Sequence, residues 1–181
     1  MEKIKIIALM GEAGSGKDTL LRCIMSSFPK YNEIVSCTTR PKRMGEIEGR
    51  SYYFMTDEMF QTIVKSDAML EYTSFNGWYY GTALSSLNPN KINVGIFNPE
   101  GIRKLLARED LDVRVYYVRA SAKTRVIRQL NREDNPDVDE VFRRYGTDRE
   151  DFSKINFAYE NIPNESVADL DAALSRIHWV D

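Results

Sequence analysis

Residues 10–21, MGEAGSGKDTLL, set glycines at 11, 14 and 16 and a lysine at 17 between two patterned runs. The run before it, IKIIALM at 4–10, is continuously apolar and reads as a buried strand; the run after it, GKDTLLRCIMSSF at 16–28, has helical apolar spacing. A glycine-rich turn in that setting lets successive backbone N–H groups point inward at phosphate oxygens, and the following helix adds its positive N-terminal end. The spacing G-x-x-x-x-G-K is met by Gly11, Gly16 and Lys17, so Gly11, Glu12, Ala13, Gly14, Ser15, Gly16, Lys17, Asp18 and Thr19 are the expected triphosphate-binding residues. Lys17 reaches the terminal phosphates as a point charge. The position after Lys17 ordinarily carries the Ser or Thr hydroxyl that ligates magnesium, and here it is Asp18.

The rest of the chain limits what such a loop serves. At 181 residues there is room for one substantial core, and 43% hydrophobic with 29% charged residues is an ordinary globular composition. A net charge of −2 offers no field for a nucleic acid polymer. The N-terminal apolar run is too short for a membrane helix and lacks a small-residue cleavage site, so no membrane association is expected. Cys23 and Cys37 suggest neither a disulfide framework nor a zinc knuckle; two reduced, buried thiols in a cytoplasmic protein are expected. His178 is the single histidine, which leaves Lys, Arg and carboxylates as the available chemistry. No N-K-x-D guanine motif follows the loop, so the loop feeds phosphoryl transfer to a second substrate rather than a switch cycle.

Strand-like and helical runs alternate. EIVSCTT (33–39), INVGIFN (92–98) and DVRVYYVR (112–119) read as further strands; GIRKLLARE (101–109), SAKTRVIRQLNRE (121–133) and DVDEVFRRYGTDREDF (137–152) read as helices. This alternation predicts a parallel sheet covered on both faces. Residues 40–82, rich in Gly, Arg and aromatics, interrupt it as a small β-rich insertion, and 120–152 form a second, charged helical one.

The stretches SCTTRPKRMGEIEGRSYYF and MLEYTSFNGWYYGT resemble guanylate kinases through Thr38, Thr39, Arg40, Arg43, Gly45, Glu46, Gly49, Tyr52 and Phe54, then Glu71 and a Tyr79-Tyr80-Gly81 turn. The resemblance is close over the first 82 residues and looser beyond. It implies an α/β, P-loop NTPase-like fold in one kinase domain. The core would be 1–35, 83–120 and 153–181, with a GMP-binding subdomain at 36–82 and a helical lid at 121–152. It implies transfer from ATP, with Mg2+, to the small-molecule acceptors GMP or dGMP. By position Arg40, Arg43, Tyr52 and Tyr80 would hold the acceptor phosphate. Ser36, Glu71 and Thr82 would read the base, because a carboxylate such as Glu71 accepts from both N1–H and the 2-amino group of guanine, and Gly81 would also belong to the GMP-binding residues. Lys17, with Arg132 and the Arg143 eleven positions later, would neutralise the transferred phosphoryl; the roles of Arg125, Arg128, Arg144 and Arg149 stay open.

Two departures matter. The family's D-x-D-x-Q-G is Ile96-Phe97-Asn98-Pro99-Glu100-Gly101, and its P-P-S is Arg119-Ala120-Ser121. The missing strand-end acids and the acid at position 18 fit one hypothesis, in which Asp18 is the magnesium carboxylate; a helix-start role for Asp18, with Thr19 supplying the hydroxyl, is the alternative. The lost acids also keep one rival function in play, a same-fold kinase with another nucleoside monophosphate or a phosphorylated ribose as acceptor; a second rival, a non-catalytic protein-binding module, is opposed by the intact Lys17 loop and the Arg-Tyr cluster.

Overall fold

A computed structural model describes residues 2–75, 77–132 and 137–179. Strand β1 (Ile4–Met10) forms where the sequence is continuously apolar, and it needs to be, because both its faces are covered. Ile6, Ala8 and Met10 face one core and Ile7 and Leu9 the other, the alternation of a strand buried between two helical layers. β1 pairs in parallel with β7 (Asn93–Ile96) and with β8 (Leu111–Arg119). β2 (Asn32–Glu33) and β9 (Glu160–Pro163) complete a parallel sheet of order β2-β7-β1-β8-β9. Helices α1 (Lys17–Ser27) and α6 (Val167–Arg176) cover one face through Leu20, Leu21, Ile24 and Ala173. Helix α3 (Pro99–Leu106) covers the other through Ile102 and Leu105. The expected doubly covered α/β sheet is thus present.

The run 33–39 is not one strand. It leaves the large sheet after Glu33 and enters a second sheet as β3 (Cys37–Thr38), because Ile34 is buried in the first core and Cys37 in a separate small one. That sheet has the order β4-β3-β6-β5, with β4 (Tyr53–Phe54), β5 (Met69–Phe75) and β6 (Trp78–Ala83). Tyr79-Tyr80-Gly81, expected as a turn, lies within β6 and pairs with Ser74, Thr73 and Tyr72 of β5. Helix α2 (Asp57–Lys65), which the sequence reading did not place, starts at a Thr56 cap accepting from the Met59 amide and buries Phe60 against Tyr79.

Helices α4 (Ala122–Leu130) and α5 (Val138–Ser153) pack on each other beside the C-terminal end of the large sheet. Both cysteines are free; Cys37 is buried and Cys23 only half so. Among the described residues, no helix is long and apolar enough to cross a membrane.

Candidate active site

The glycine-rich loop joins β1 to α1 at the carboxyl edge of the large sheet, where open α/β sheets place their ligands. Gly14 and Gly16 adopt φ of 78° and 94°, and a Cβ would lie 2.4 Å from the Arg125 carbonyl oxygen at the first and 2.2 Å from Asn164 Nδ2 at the second. Only glycine meets both demands. The loop closes on itself through Ser15 N–H to the Glu12 carbonyl at 3.1 Å, and Lys17 Nζ donates to that same carbonyl at 3.1 Å. Burial lowers the Lys17 pKa, against the pull of Asp18, Asp148 and Glu12.

Distant residues grip the loop from behind. Asn164 Nδ2 donates to the Ser15 carbonyl at 2.7 Å, and Arg128 Nη1 to the Asn164 carbonyl at 2.9 Å with longer reaches to Gly14 and Ser15. Arg125 pairs with Glu12 at 3.5 Å and lies over the Tyr145 ring. Arg125 and Arg128 therefore brace the loop, a placement that local sequence did not decide.

The second sheet supplies the opposite wall. Glu71 is 7% exposed, and burial pushes its pKa up to about 7 despite hydrogen bonds from Thr82 and the charge of Lys104. Ser36 Oγ lies 3.3 Å from Thr82 Oγ1, so Ser36, Glu71 and Thr82 converge on one spot. Arg40 grips both oxygens of Glu46, one at 2.7 Å, and its guanidinium sits 5.0 Å from the centre of the Tyr52 ring. The Tyr52 and Tyr80 rings meet edge to face. The Arg43 pKa is lowered, first by burial and then by Arg144 and Arg40 beside it; four guanidiniums, Arg40, Arg43, Arg143 and Arg144, against two carboxylates, Glu46 and Glu140, make a pocket suited to a dianion.

Both walls line a single cleft of about 390 Å³. Gly11, Ala13 and Lys17 face it from the loop. Ser36, Arg40, Arg43, Tyr52, Glu71, Tyr80 and Gly81 face it from the small sheet, and Arg143 and Arg144 from α5. Glu140 accepts from Arg143 Nε at 2.6 Å and Arg144 Nε at 2.7 Å, and its carboxyl is held down to about 2 by Arg143 foremost. Arg132 lies past the end of α4, exposed and off the cleft wall, as are Asp18 and Thr19 in the first turn of α1. Glu12, Gly14, Ser15, Gly16 and Thr82 stand behind the wall, Ser15 and Thr82 fully buried.

Ile96 and Asn98 occupy the strand end where the resemblance would put acids, and Asn98 spends its carbonyl on the Gly101 amide at 2.7 Å, capping α3. Among the described residues, no three His, Cys, Asp or Glu groups gather as a metal site. That fits an ion held chiefly by phosphate and water with few protein carboxylates, which is how magnesium is usually bound beside nucleotides. The reading from sequence missed the acidic and aromatic cleft face of α5. Glu140, Arg144, Asp148 and Phe152 recur every four residues and all line the cleft, a stripe that spacing alone displays.

A family model described as guanylate kinase matches residues 3–178. A guanylate kinase of Trichodesmium erythraeum is 42% identical over 82 residues, covering 45% of this chain and 44% of the relative. One of a Synechococcus strain is 40% identical over 91 residues, covering 50% and 49%. The matched stretches thus span less than half the length of these relatives. The crystal structure of a guanylate kinase from Anaplasma phagocytophilum superposes with a TM-score of 0.68 at 20% identity, over 97% of this chain and 84% of that one, a likeness of fold.

Proposed function

This chain belongs to the guanylate kinase family, and from that premise we propose that it transfers the terminal phosphoryl group of ATP to GMP or dGMP. One observation carries the reading: the phosphate loop and the Arg-Tyr-Glu wall open onto the same cleft, so a donor and a monophosphate acceptor meet with their phosphates facing. Transfer of this kind needs positioning and charge neutralisation more than covalent chemistry. Lys17 and the loop amides hold the donor phosphates; Arg40, Arg43, Tyr52 and Tyr80 hold the acceptor phosphate; Ser36, Glu71 and Thr82 read guanine, and Gly81 belongs to the same acceptor site. Arg143 and Arg144 of the lid supply positive charge to the phosphoryl in flight, and Arg132 reaches the donor only if 121–152 closes over it. Asp18 would hold magnesium, directly or through water, and the ion would supply charge neutralisation between donor phosphates. The division into core, GMP-binding subdomain and lid follows from the same reading.

The test is a coupled assay with ATP and Mg2+ over GMP, dGMP, AMP, CMP, UMP and a ribose phosphate. GMP or dGMP should lead by at least ~10², because a buried carboxylate rejects the adenine N1 lone pair. Turnover of another acceptor alone, or of none, sinks the proposal.

A further inference from the structure

Phosphoryl transfer gives no task to one carboxylate in the cleft. Asp148, on the cleft face of α5, accepts the backbone N–H of Ala13 at its Oδ2, at 2.6 Å. That amide belongs to the loop whose N–H groups are turned toward phosphate oxygens. The distance is that of a charge-assisted bond, stronger than a neutral one. Burial raises the Asp148 pKa, the Ala13 amide, Lys17 and Arg125 work against that rise, and Glu12 adds to it; Arg143 also lies within reach of the Asp148 charge. A loop amide thus already has a side-chain carboxyl as its acceptor, with the charge of the loop lysine near it.

We propose that Asp148 is a built-in occupant of the phosphate loop: its carboxylate holds the Ala13 amide and the field of Lys17 in place of a phosphate oxygen, and the donor must displace it to bind. The argument is one of charge and space. A triphosphate brings several negative charges into the same cleft, and like charges at contact distance repel strongly where water is scarce. The loop therefore satisfies the carboxylate or the phosphate at that amide, not both, and Asp148 sets donor affinity. Asp148 also lies one helical turn after Arg144, on the same face of α5. Freeing the carboxylate releases the helix face that carries the guanidiniums, so donor entry and the reseating of Arg143 and Arg144 are one movement.

This inference rests on the reading of the loop as a triphosphate site, though not on the choice of acceptor. The experiment is calorimetric titration of metal-free ATP, and separately of inorganic tripolyphosphate, into the full chain and its Asp148→Asn, Asp148→Ala and Glu150→Gln variants. Glu150 sits on α5, exposed and paired with Lys154, and controls for the loss of one negative charge. Both Asp148 variants should bind ATP at least ~10-fold tighter, with Glu150→Gln within about twofold; a merely structural role for Asp148 would weaken binding instead. Unchanged or weaker binding in the Asp148 variants, or an equal gain in Glu150→Gln, overturns the proposal. Hydrogen exchange at the Ala13 amide gives a readout free of nucleotide: it should quicken in Asp148→Ala, and unaltered exchange overturns the contact itself. A chain that ignores GMP but binds ATP more tightly without Asp148 loses only its assigned acceptor. One that turns over GMP with donor affinity indifferent to Asp148 loses only this inference.

Discussion

Asn164 donates its side-chain amide to the carbonyl of Ser15 at 2.7 Å, joining positions 149 residues apart. The bond pins the phosphate loop to the end of β9. It also explains Gly16, since any Cβ there would meet the same amide nitrogen. Asn164 is 3% exposed, so Asn164→Ala leaves the buried Ser15 carbonyl only the longer 3.4 Å reach of Arg128. The expected loss of stability is about 1–3 kcal/mol in urea titration. KM for ATP should rise more than KM for GMP, because the loop is the part set loose. A stability unchanged within error would show that water replaces the amide.

Glu71 opposes stability to function. Its pKa stands near 7 rather than the ordinary 4.5, because burial disfavours the charged form. A raised carboxyl pKa means that the stability it contributes is fully present below about 4.5 and lost as pH rises through about 7. That rise is worth roughly 3 kcal/mol. Glu71→Gln, which carries no charge to bury, should therefore be more stable than the parent at pH 8 by up to that amount, and equal to it near pH 4. Guanine needs the ionised form, so KM for GMP in the parent should fall between pH 6 and 8. In Glu71→Gln it should be flat, with kcat/KM down by at least ~10². A Gln variant that retains full GMP activity would remove Glu71 from base recognition.

The phosphate loop and its strand were legible because the signal is local: spaced glycines, one lysine, and an apolar run long enough to be buried on both sides. What stayed hidden depended on distance or on shared segments. EIVSCTT satisfies a strand pattern throughout, yet its ends belong to different cores, and nothing in seven residues marks where Ile34 hands over to Cys37. β9, Glu160–Pro163, buries only Ile162 and ends on a proline, so it has no alternation to read. The Arg128 and Asn164 grip on the loop arises only when α4 and β9 are folded beside it. The Ile96 and Asn98 departure, by contrast, was plain in sequence, and the structure supplies its local reason in the cap of α3.

Arg143 and Arg144 share the carboxylate of Glu140 and line the same cleft. If they meet charge that is largest during transfer, Arg143→Ala and Arg144→Ala should each lower kcat by ~10² or more while moving KM for ATP less. Arg132→Ala, exposed and off the cleft wall, should act only through the closed form and so affect kcat alone. Steady-state kinetics with both substrates varied separates the cases. An effect confined to KM in the α5 variants would reduce them to ground-state binding.

Asp18 stands in the first turn of α1, exposed at the N-terminal end of the helix, and Thr19 beside it lies 3.4 Å from Arg22 Nη2. Two roles compete for the carboxylate. A helix start favours an acid by about 0.3–1 kcal/mol through the dipole, whether or not a metal binds. A magnesium ion beside the donor phosphates favours a hard oxygen ligand, and the strand end offers only Ile96 and Asn98, the latter already engaged with Gly101. Asp148, another carboxylate at the loop, is engaged with the Ala13 amide, and Asp18 is the carboxylate in the position after Lys17. The two roles part under a magnesium titration at saturating ATP and GMP. If Asp18 holds the ion, Asp18→Asn and Asp18→Ala should raise the magnesium needed for half-maximal rate by ~10-fold or more and depress kcat. Thr19→Val should leave both near the parent. If Asp18 serves only the helix, both variants should lose a fraction of a kcal/mol in stability and keep the parent's magnesium curve.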